Sequence, residues 1–368
     1  MKVITSKADL VDALGIVSRA VSTRSSIPVL AGVLLDAGGD GIWISATDMD
    51  ISVRAPLRGV VEVGGAAVLP ARILGDIARS LAGGEVVLEK ASVSAQMELR
   101  SGDSEFALRV FPAEDFPAFP VFPLEEGFTV EKAGFLTTID RVAGSASKDE
   151  TRPVLTGVLL HMTKNSVRMV ATDSYRLSVK ETPVEASVRD KLQVIVPGRC
   201  LTELSRIGSA VAADKVSVVP TENQILFQVG DVLLMSRLID GQFPNYRQLI
   251  PESFESRATV RRDELMEALG RVRLLAQKSS PVRLLFAEGT LTISAQSQDV
   301  GTAKESMPIE YEGELLEIGF NPEFLLAGAG AVLDEDVDMR FISPLRPGLL
   351  RGKEDDFLYL IMPIRLTD

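Results

Sequence analysis

The chain has 368 residues, of which 46 % are hydrophobic and 24 % charged, with a formal net charge of −12. That is longer than one ordinary domain of ~100–200 residues, and the composition is that of a globular protein rather than a disordered one. It excludes a membrane helix, since no apolar run approaches ~18 residues. The charged start Met1-Lys2-Val3-Ile4-Thr5-Ser6-Lys7-Ala8-Asp9 is unlike a signal peptide, and the lone Cys200 and His161 leave no disulfide framework or thiolate metal site. A cytoplasmic protein is expected.

In chain order, Lys2–Thr5 reads as a short strand, and Ser6 is a candidate N-cap with Asp9 three residues on. Leu10, Ala13, Leu14, Val17 and Val21 recur at helical spacing, which predicts a helix over Ser6–Val21. A polar loop, Ser22–Ser26, precedes a strand–turn–strand element ending at Asp48, turned at Gly38-Gly39-Asp40-Gly41. Ile51–Ala55 and Ala66–Leu69 read as further strands. Pro70 then opens a helix over Ala71–Leu81 ended by Gly83-Gly84. Strand-like runs follow at Val86–Lys90, Ala95–Arg100 and Glu105–Val110, and Pro117, Pro120 and Pro123 mark a linker.

The same order then recurs. Residues 152–173 repeat residues 27–48 with ten of 22 positions identical, at an offset of 125. A helix is predicted over Phe135–Lys148, and Pro197 opens another over Gly198–Ala210. Strands are expected at Lys215–Val219, Gln224–Val229 and Leu233–Leu238. The pair Phe243-Pro244 answers Phe116-Pro117. A third, weaker copy has its strands at Pro281–Phe286 and Leu291–Gln296, with helices over Asp263–Lys278 and after Asn321-Pro322. Its last strands are Val337–Ile342, Leu349–Gly352 and Phe357–Leu366, the end of which Pro363 demotes to an edge or an exit from the sheet. The reading is an α+β fold of three tandem domains, residues 1–124, 125–252 and 253–368, each with two helices on mostly antiparallel strands.

Three stretches carry a family resemblance: Ala171-Thr-Asp-Ser-Tyr-Arg-Leu177, Leu238-Ile-Asp-Gly-Gln-Phe-Pro-Asn-Tyr-Arg247 and Met362-Pro-Ile-Arg-Leu366. Together they resemble the β subunit of bacterial DNA polymerase III, the replication sliding clamp, over the whole chain. The resemblance implies a head-to-tail homodimer forming a closed six-domain ring, with helices lining the hole and sheets outside. It implies double-stranded DNA in the hole. The polymerase III alpha subunit, the clamp loader, other polymerases and repair proteins would be held through a short peptide motif. No enzyme activity, metal or cofactor is implied.

Carried over residue by residue, the family's peptide pocket falls on Leu155, Thr172, Ser174, Tyr175, Arg176, Leu177, Pro244, Gln248, Leu249, Leu360, Met362, Pro363, Arg365 and Leu366. The family often has Gly-His at Ser174-Tyr175 and a basic residue at Gln248. Some members place DNA-touching aromatics where this chain has Pro153-Val154. The pocket is expected to have an apolar floor, a flexible Met362 wall, and Arg176 and Arg365 at its rim. The first copy is expected to lack an Arg176 counterpart because Thr47–Ile51 is one residue shorter than Thr172–Leu177. The third, reading Gln296-Ser-Gln-Asp-Val300, should form no such site either.

The negative charge argues at first against a nucleic-acid partner. Its distribution is uneven, since the six predicted helices together carry a small basic excess. Arg24, Arg72, Lys148, Arg199 and Lys278 are the candidate phosphate contacts, and few aromatics or base-reading motifs accompany them, as sequence-independent binding requires. Phe106 and Leu108, alternating on a terminal strand, and Leu274 and Leu275, ending a helix, are the candidate dimer interface. The alternative reading, a metal-dependent nuclease or phosphatase, rests on the repeated Asp48 and Asp173. Aspartates in such turns more commonly bond their own backbone.

Overall fold

The computed structural model describes residues 1–22, 26–91, 95–123, 127–184, 192–276, 280–297, 299–353 and 357–366. The first copy runs β1 (Lys2–Ser6), α1 (Lys7–Val17), β2 (Gly32–Gly38), β3 (Gly41–Thr47), β4 (Ile51–Pro56), β5 (Gly59–Val63), β6 (Gly65–Pro70), α2 (Ala71–Ser80), β7 (Glu85–Glu89), β8 (Gln96–Ser101) and β9 (Ser104–Arg109). The second runs β10 (Phe128–Glu131), α3 (Lys132–Val142), β11 (Gly157–Met162), β12 (Ser166–Thr172), β13 (Arg176–Pro183), β14 (Leu192–Pro197), α4 (Gly198–Ala210), β15 (Lys215–Pro220), β16 (Gln224–Val229) and β17 (Val232–Arg237). The third runs β18 (Ser256–Arg261), α5 (Arg262–Val272), β19 (Val282–Ala287), β20 (Thr290–Ser297), β21 (Gly301–Pro308), β22 (Glu310–Glu312), β23 (Leu316–Phe320), α6 (Pro322–Ala331), β24 (Asp336–Phe341), β25 (Gly348–Arg351) and β26 (Phe357–Ile361). Strand, helix, several strands, helix and three strands recur as the repeat predicts.

Local chemistry explains the boundaries. Ser6 caps α1 by accepting from the Asp9 N–H at 3.0 Å, and Leu10, Ala13, Leu14 and Val17 form its buried stripe. Asn321 caps α6 through the N–H groups of Glu323 and Phe324, with Pro322 in the first turn. The β2–β3 hairpin turns through Gly39-Asp40, with Gly41 at φ +111°, a conformation that glycine adopts without strain.

Several expected helices are shorter than their apolar spacing implied. The helix expected over Phe135–Lys148 begins at Lys132 and stops at Val142, where the chain tightens into a 3₁₀ turn at Ala143–Ser145. Lys148 is therefore on a loop. The third copy's first helix likewise gives way at Val272 to a 3₁₀ turn, Arg273–Leu275, so Leu274 and Leu275 follow the α-helix rather than end it. Pro28 and Pro153 start single 3₁₀ turns, because proline fixes φ and has no N–H for a ladder. The final strand stops at Ile361, two residues before Pro363.

By internal contacts the chain forms two compact units, residues 1–132 with 203–238 and residues 133–202 with 239–368. The first holds a five-stranded sheet, β5-β1-β7-β8-β9, and an eight-stranded sheet, β10-β15-β16-β17-β4-β3-β2-β6. The second holds a nine-stranded sheet, β14-β11-β12-β13-β26-β25-β24-β18-β22, and a four-stranded sheet, β21-β20-β19-β23. Each large sheet is spliced from two copies: β17 of the second pairs with β4 of the first, and β26 of the third pairs with β13 of the second. The third copy's core gathers Leu265, Leu269, Phe286, Phe320, Phe341 and Tyr359. Gly328 on α6 admits the Tyr359 ring, since a Cβ there would lie 2.4 Å from its Cδ1.

Candidate functional site

The site is built on the turn between β12 and β13. Asp173 Oδ1 accepts from the N–H groups of Tyr175 at 2.9 Å and Arg176 at 3.0 Å. Thr172 Oγ1 donates to Arg176 O at 2.7 Å and accepts from the Ser174 N–H. Ser174 is held at φ +80°, which throws Tyr175 outward, 61 % exposed. Directly beyond the turn, β13 meets β26, so that Leu177 lies opposite Leu360 and Met362 N–H donates to Tyr175 O at 2.8 Å.

Beneath these residues lies an apolar floor of Leu159, Val170, Leu177, Ile195, Tyr246 and Leu360, with Val154, Phe243 and Ile250 packed against it. Leu249 and Met362 stay 54 % and 44 % exposed beside it. Together with Tyr175 they are the large apolar groups left exposed there. The chain's own tail turns away. Ile364 N–H donates to Gly319 O, and Leu366 would be 2.6 Å from a Cβ placed at Gly319, so Leu366 packs on the third copy's four-stranded sheet.

Arg176 is more tightly held than the sequence suggests. Expected at the rim of the groove, it is held in place there, with its side chain only 14 % exposed. Nε donates to Asp173 Oδ2 at 3.0 Å, Nη2 donates to Gly144 O at 2.5 Å, and the guanidinium lies 4.5 Å from the centroid of the Phe324 ring. Tyr175 stacks on the same ring, centroids 6.5 Å apart. Tyr359 closes the back, donating to Phe324 O at 2.8 Å, and burial pushes its hydroxyl pKa up to about 12. Arg152 Nη1 donates to Ser174 Oγ at 3.0 Å. Sequence reasoning missed Arg152, Tyr246, Phe324 and Tyr359. Phe324 had one visible signal, its place in the Asn321-capped first turn of α6.

Of the other predicted pocket residues, Thr172, Ser174, Tyr175, Leu177, Leu360 and Met362 meet at the β13–β26 junction. Pro244 accepts from the Tyr246 N–H, and Gln248 and Leu249 follow in the 3₁₀ turn Tyr246–Leu249. Leu155 lies in the Pro153–Thr156 turn with its carbonyl on Ser147 N–H. Pro363 is half-buried and Arg365 exposed.

The first copy's turn corrects the expectation of a shorter loop. Asp48 Oδ1 accepts from Asp50 N–H and Ile51 N–H, Thr47 Oγ1 accepts from Met49 N–H, and Met49 stands at φ +81°. The two turns have the same length and the same bonds, and Arg176 is matched by Ile51, 2 % exposed. The two aspartates thus serve their own turns, and among the described residues no cluster of three or more His, Cys, Asp or Glu could hold a metal ion.

Three family descriptions match the chain in tandem: the DNA polymerase III beta subunit N-terminal domain over residues 1–120, central domain over 129–245 and C-terminal domain over 247–365. The chain belongs to the DNA polymerase III beta subunit family, the bacterial sliding clamps. It is 34 % identical to the beta sliding clamp of Synechococcus elongatus and 32 % identical to that of Streptomyces coelicolor, with 100 % of each chain covered. Solved structures agree. The Bacillus subtilis sliding clamp matches with a TM-score of 0.91 at 30 % identity, and a Pseudomonas aeruginosa sliding clamp bound to griselimycin with 0.89 at 30 %, each covered over 100 % of both chains. A sliding clamp is a processivity factor and not itself a catalyst.

For a sliding clamp the helix cations matter, and most of them are already matched. Arg79 pairs with Asp76 at 2.6 Å, Arg206 with Glu203 at 2.7 Å, Arg271 with Glu305 at 2.7 Å and Arg273 with Glu323 at 3.1 Å. Arg141 on α3 is buried, donating to Ala331 O and lying over the Phe357 ring. Arg72 and Arg199 are exposed and occupy the same place, two residues after Pro70 and Pro197 in the first turns of α2 and α4. Lys148 is exposed on its loop, while Arg24 and Lys278 lie outside the described residues. Phe106 and Leu108 lie on β9, an edge of the five-stranded sheet. The turn carrying Leu274 and Leu275 packs beside β20 and β21, and β21 is likewise an edge. Leu274 is 76 % exposed.

Proposed function

We propose that two copies of this chain close head to tail into a ring around double-stranded DNA and hold partner proteins at the β13–β26 junction. The domains would divide at residues 1–124, 125–252 and 253–368, and the ring would work in the cytoplasm. The observation that carries the tethering role is the exposed trio Tyr175, Leu249 and Met362 beside a buried apolar floor. Such a groove suits an extended peptide offering Leu or Phe beside a polar anchor, and Met362 adapts to related sequences. The polymerase III alpha subunit, the clamp loader and other polymerases and repair proteins would share it.

Arg72 and Arg199 support the DNA reading, joined by Lys148 and, by sequence, Arg24 and Lys278. A cation in the first turn of a helix opposes the helix dipole, whereas a phosphate is favoured there by both the dipole and the arginine. The third copy has Glu323 at the matching place, bound to Arg273, so the first two copies would carry more of the contact. Phe106, Leu108, Leu274 and Leu275 would lie at the subunit joint. The test of the pocket is removal of residues 362–368. Peptide binding should be lost while the oligomer stays intact, and unchanged affinity would refute the assignment.

A further inference from the structure

We infer that Glu203 holds Arg206 back from DNA, so that the second copy grips with fewer charges than its helix carries; the inference rests on the ring around DNA proposed above. The helices α2 and α4 repeat one spacing of charge. Arg72, Asp76 and Arg79 on α2 correspond, place for place, to Arg199, Glu203 and Arg206 on α4. At the same places in α6, counted from its cap, stand Glu323, Ala327 and Gly330. The third copy thus has neither the carboxylate nor the second arginine.

In both copies the second arginine reaches back one turn to the carboxylate. Arg79 Nη2 lies 2.6 Å from Asp76 Oδ1, and Arg206 Nη1 lies 2.7 Å from Glu203 Oε1. The surroundings differ. The Asp76 side chain is 57 % exposed, so water can replace the arginine and the pair contributes little. The Glu203 side chain is 10 % exposed, on the face of α4 that buries Cys200, Leu204 and Ile207. Its Oε2 has no hydrogen-bond partner among the described residues. Arg19 Nε lies 4.0 Å from that oxygen, near enough to act by charge but too far for a hydrogen bond.

A buried carboxylate stripped of its partner is costly, because neither water nor another donor takes over. Arg206 supplies the hydrogen bond of a group whose other oxygen is already without one. Moving Arg206 to a phosphate would exchange a shielded bond for a solvated one, and would leave Glu203 bare. Arg79 gives up only a solvated bond by the same move. The two arginines are similarly exposed, at 55 % and 63 %, yet only Arg79 is available to phosphate. Each phosphate contact withheld loosens a salt-sensitive hold, which suits a ring that moves along the duplex.

Glu203→Gln removes the charge and keeps the shape. In binding to a linear duplex, the plot of log K against log salt should steepen by ~0.9, one phosphate, so that the affinity ratio between 50 and 200 mM salt grows about threefold. Adding Arg206→Ala should return the slope to that of the unmodified chain. Asp76→Asn, the same charge change on α2, should leave the slope as it was. Equal steepening by Glu203→Gln and Asp76→Asn, or none by either, would overturn the mask. Phenylglyoxal labelling of the arginines, read by mass spectrometry without DNA, gives a second reading. Arg206 should react about fivefold more slowly than Arg79, and at the Arg79 rate in the Glu203→Gln chain. Equal rates in the unmodified chain would overturn the hold itself. Slow labelling with no change of slope would show that Arg206 does not face DNA, which overturns the inference while the ring reading survives. If the unmodified chain binds no linear duplex at 50 mM salt, both fail.

Discussion

The Asp48 and Asp173 turns are one piece of backbone used twice. Each aspartate accepts two backbone N–H groups, each threonine supports the turn, each third residue sits at a positive φ, and each turn leads into a strand that pairs with the next copy. What differs is what the turn carries. In the first, Met49, Asp50 and a buried Ile51 follow the aspartate; in the second, Ser174, an exposed Tyr175 and a clamped Arg176 do. The strand paired with the first turn runs on into the second half of the chain, whereas the strand paired with the second ends four residues before Arg365. The proposed binding site thus differs from the first joint by a few side chains carried on the same backbone.

Breaking the second joint's distinctive part should have the largest effect. Removing residues 362–368 should weaken binding of a labelled Leu/Phe-containing partner peptide about 1,000-fold, ~4 kcal/mol, by fluorescence anisotropy. Truncating Met49, at the first joint, to alanine should leave that affinity within about twofold.

A buried carboxylate comes next. Asp338, 4 % exposed, stands on β24 where the matching strand β15 has Ser217, and it is bonded by Arg257 at 2.8 Å and Arg340 at 2.7 Å. Burial alone would raise its pKa, but the Arg340 and Arg257 bonds outweigh it, so the pKa is lowered. A depressed carboxylate contributes stability above its unfolded pKa of ~3.9 that is lost as pH falls through the folded value. Asp338→Asn should therefore cost about 3 kcal/mol at neutral pH and flatten the acid limb of stability, as read by denaturant unfolding against pH. An unchanged acid limb would count against this role.

Arg176→Ala should cost about 2 kcal/mol, from charge-assisted bonds to Asp173 and Gly144, and should free Tyr175. Tyrosine fluorescence and thermal unfolding both report it. Asp48→Ala should cost about 1 kcal/mol through its turn bonds alone. Asp173→Ala should cost more, and the excess should vanish in an Arg176→Ala background. Equal costs for the two aspartates in both backgrounds would show the Arg176 clamp to be idle.

Much of this was legible in the sequence because it is local. Glycine-aspartate turns, prolines opening helices and apolar alternation belong to neighbouring residues, and the duplication at 27–48 and 152–173 gave the architecture. Helix ends were overrun because apolar spacing continues through Ala143 and Leu274–Leu275 after the backbone has tightened into 3₁₀ turns. The Arg176 clamp was not legible, since it depends on Phe324 from another copy and on the Gly144 carbonyl. Strand β21 was missed because its residues are mainly polar or small, with Met307 buried near its end.

The proposed hold on DNA is topological, by surrounding it. The direct measurement places the assembled clamp on a nicked circular plasmid with its loader, raises the salt, and compares the protein retained before and after a restriction enzyme linearises the DNA. A ring that is held by closure rather than by phosphate contact stays on the circle at high salt and runs off the cut ends. Equal retention on circular and linear DNA, or equal loss from both as salt rises, would contradict encirclement.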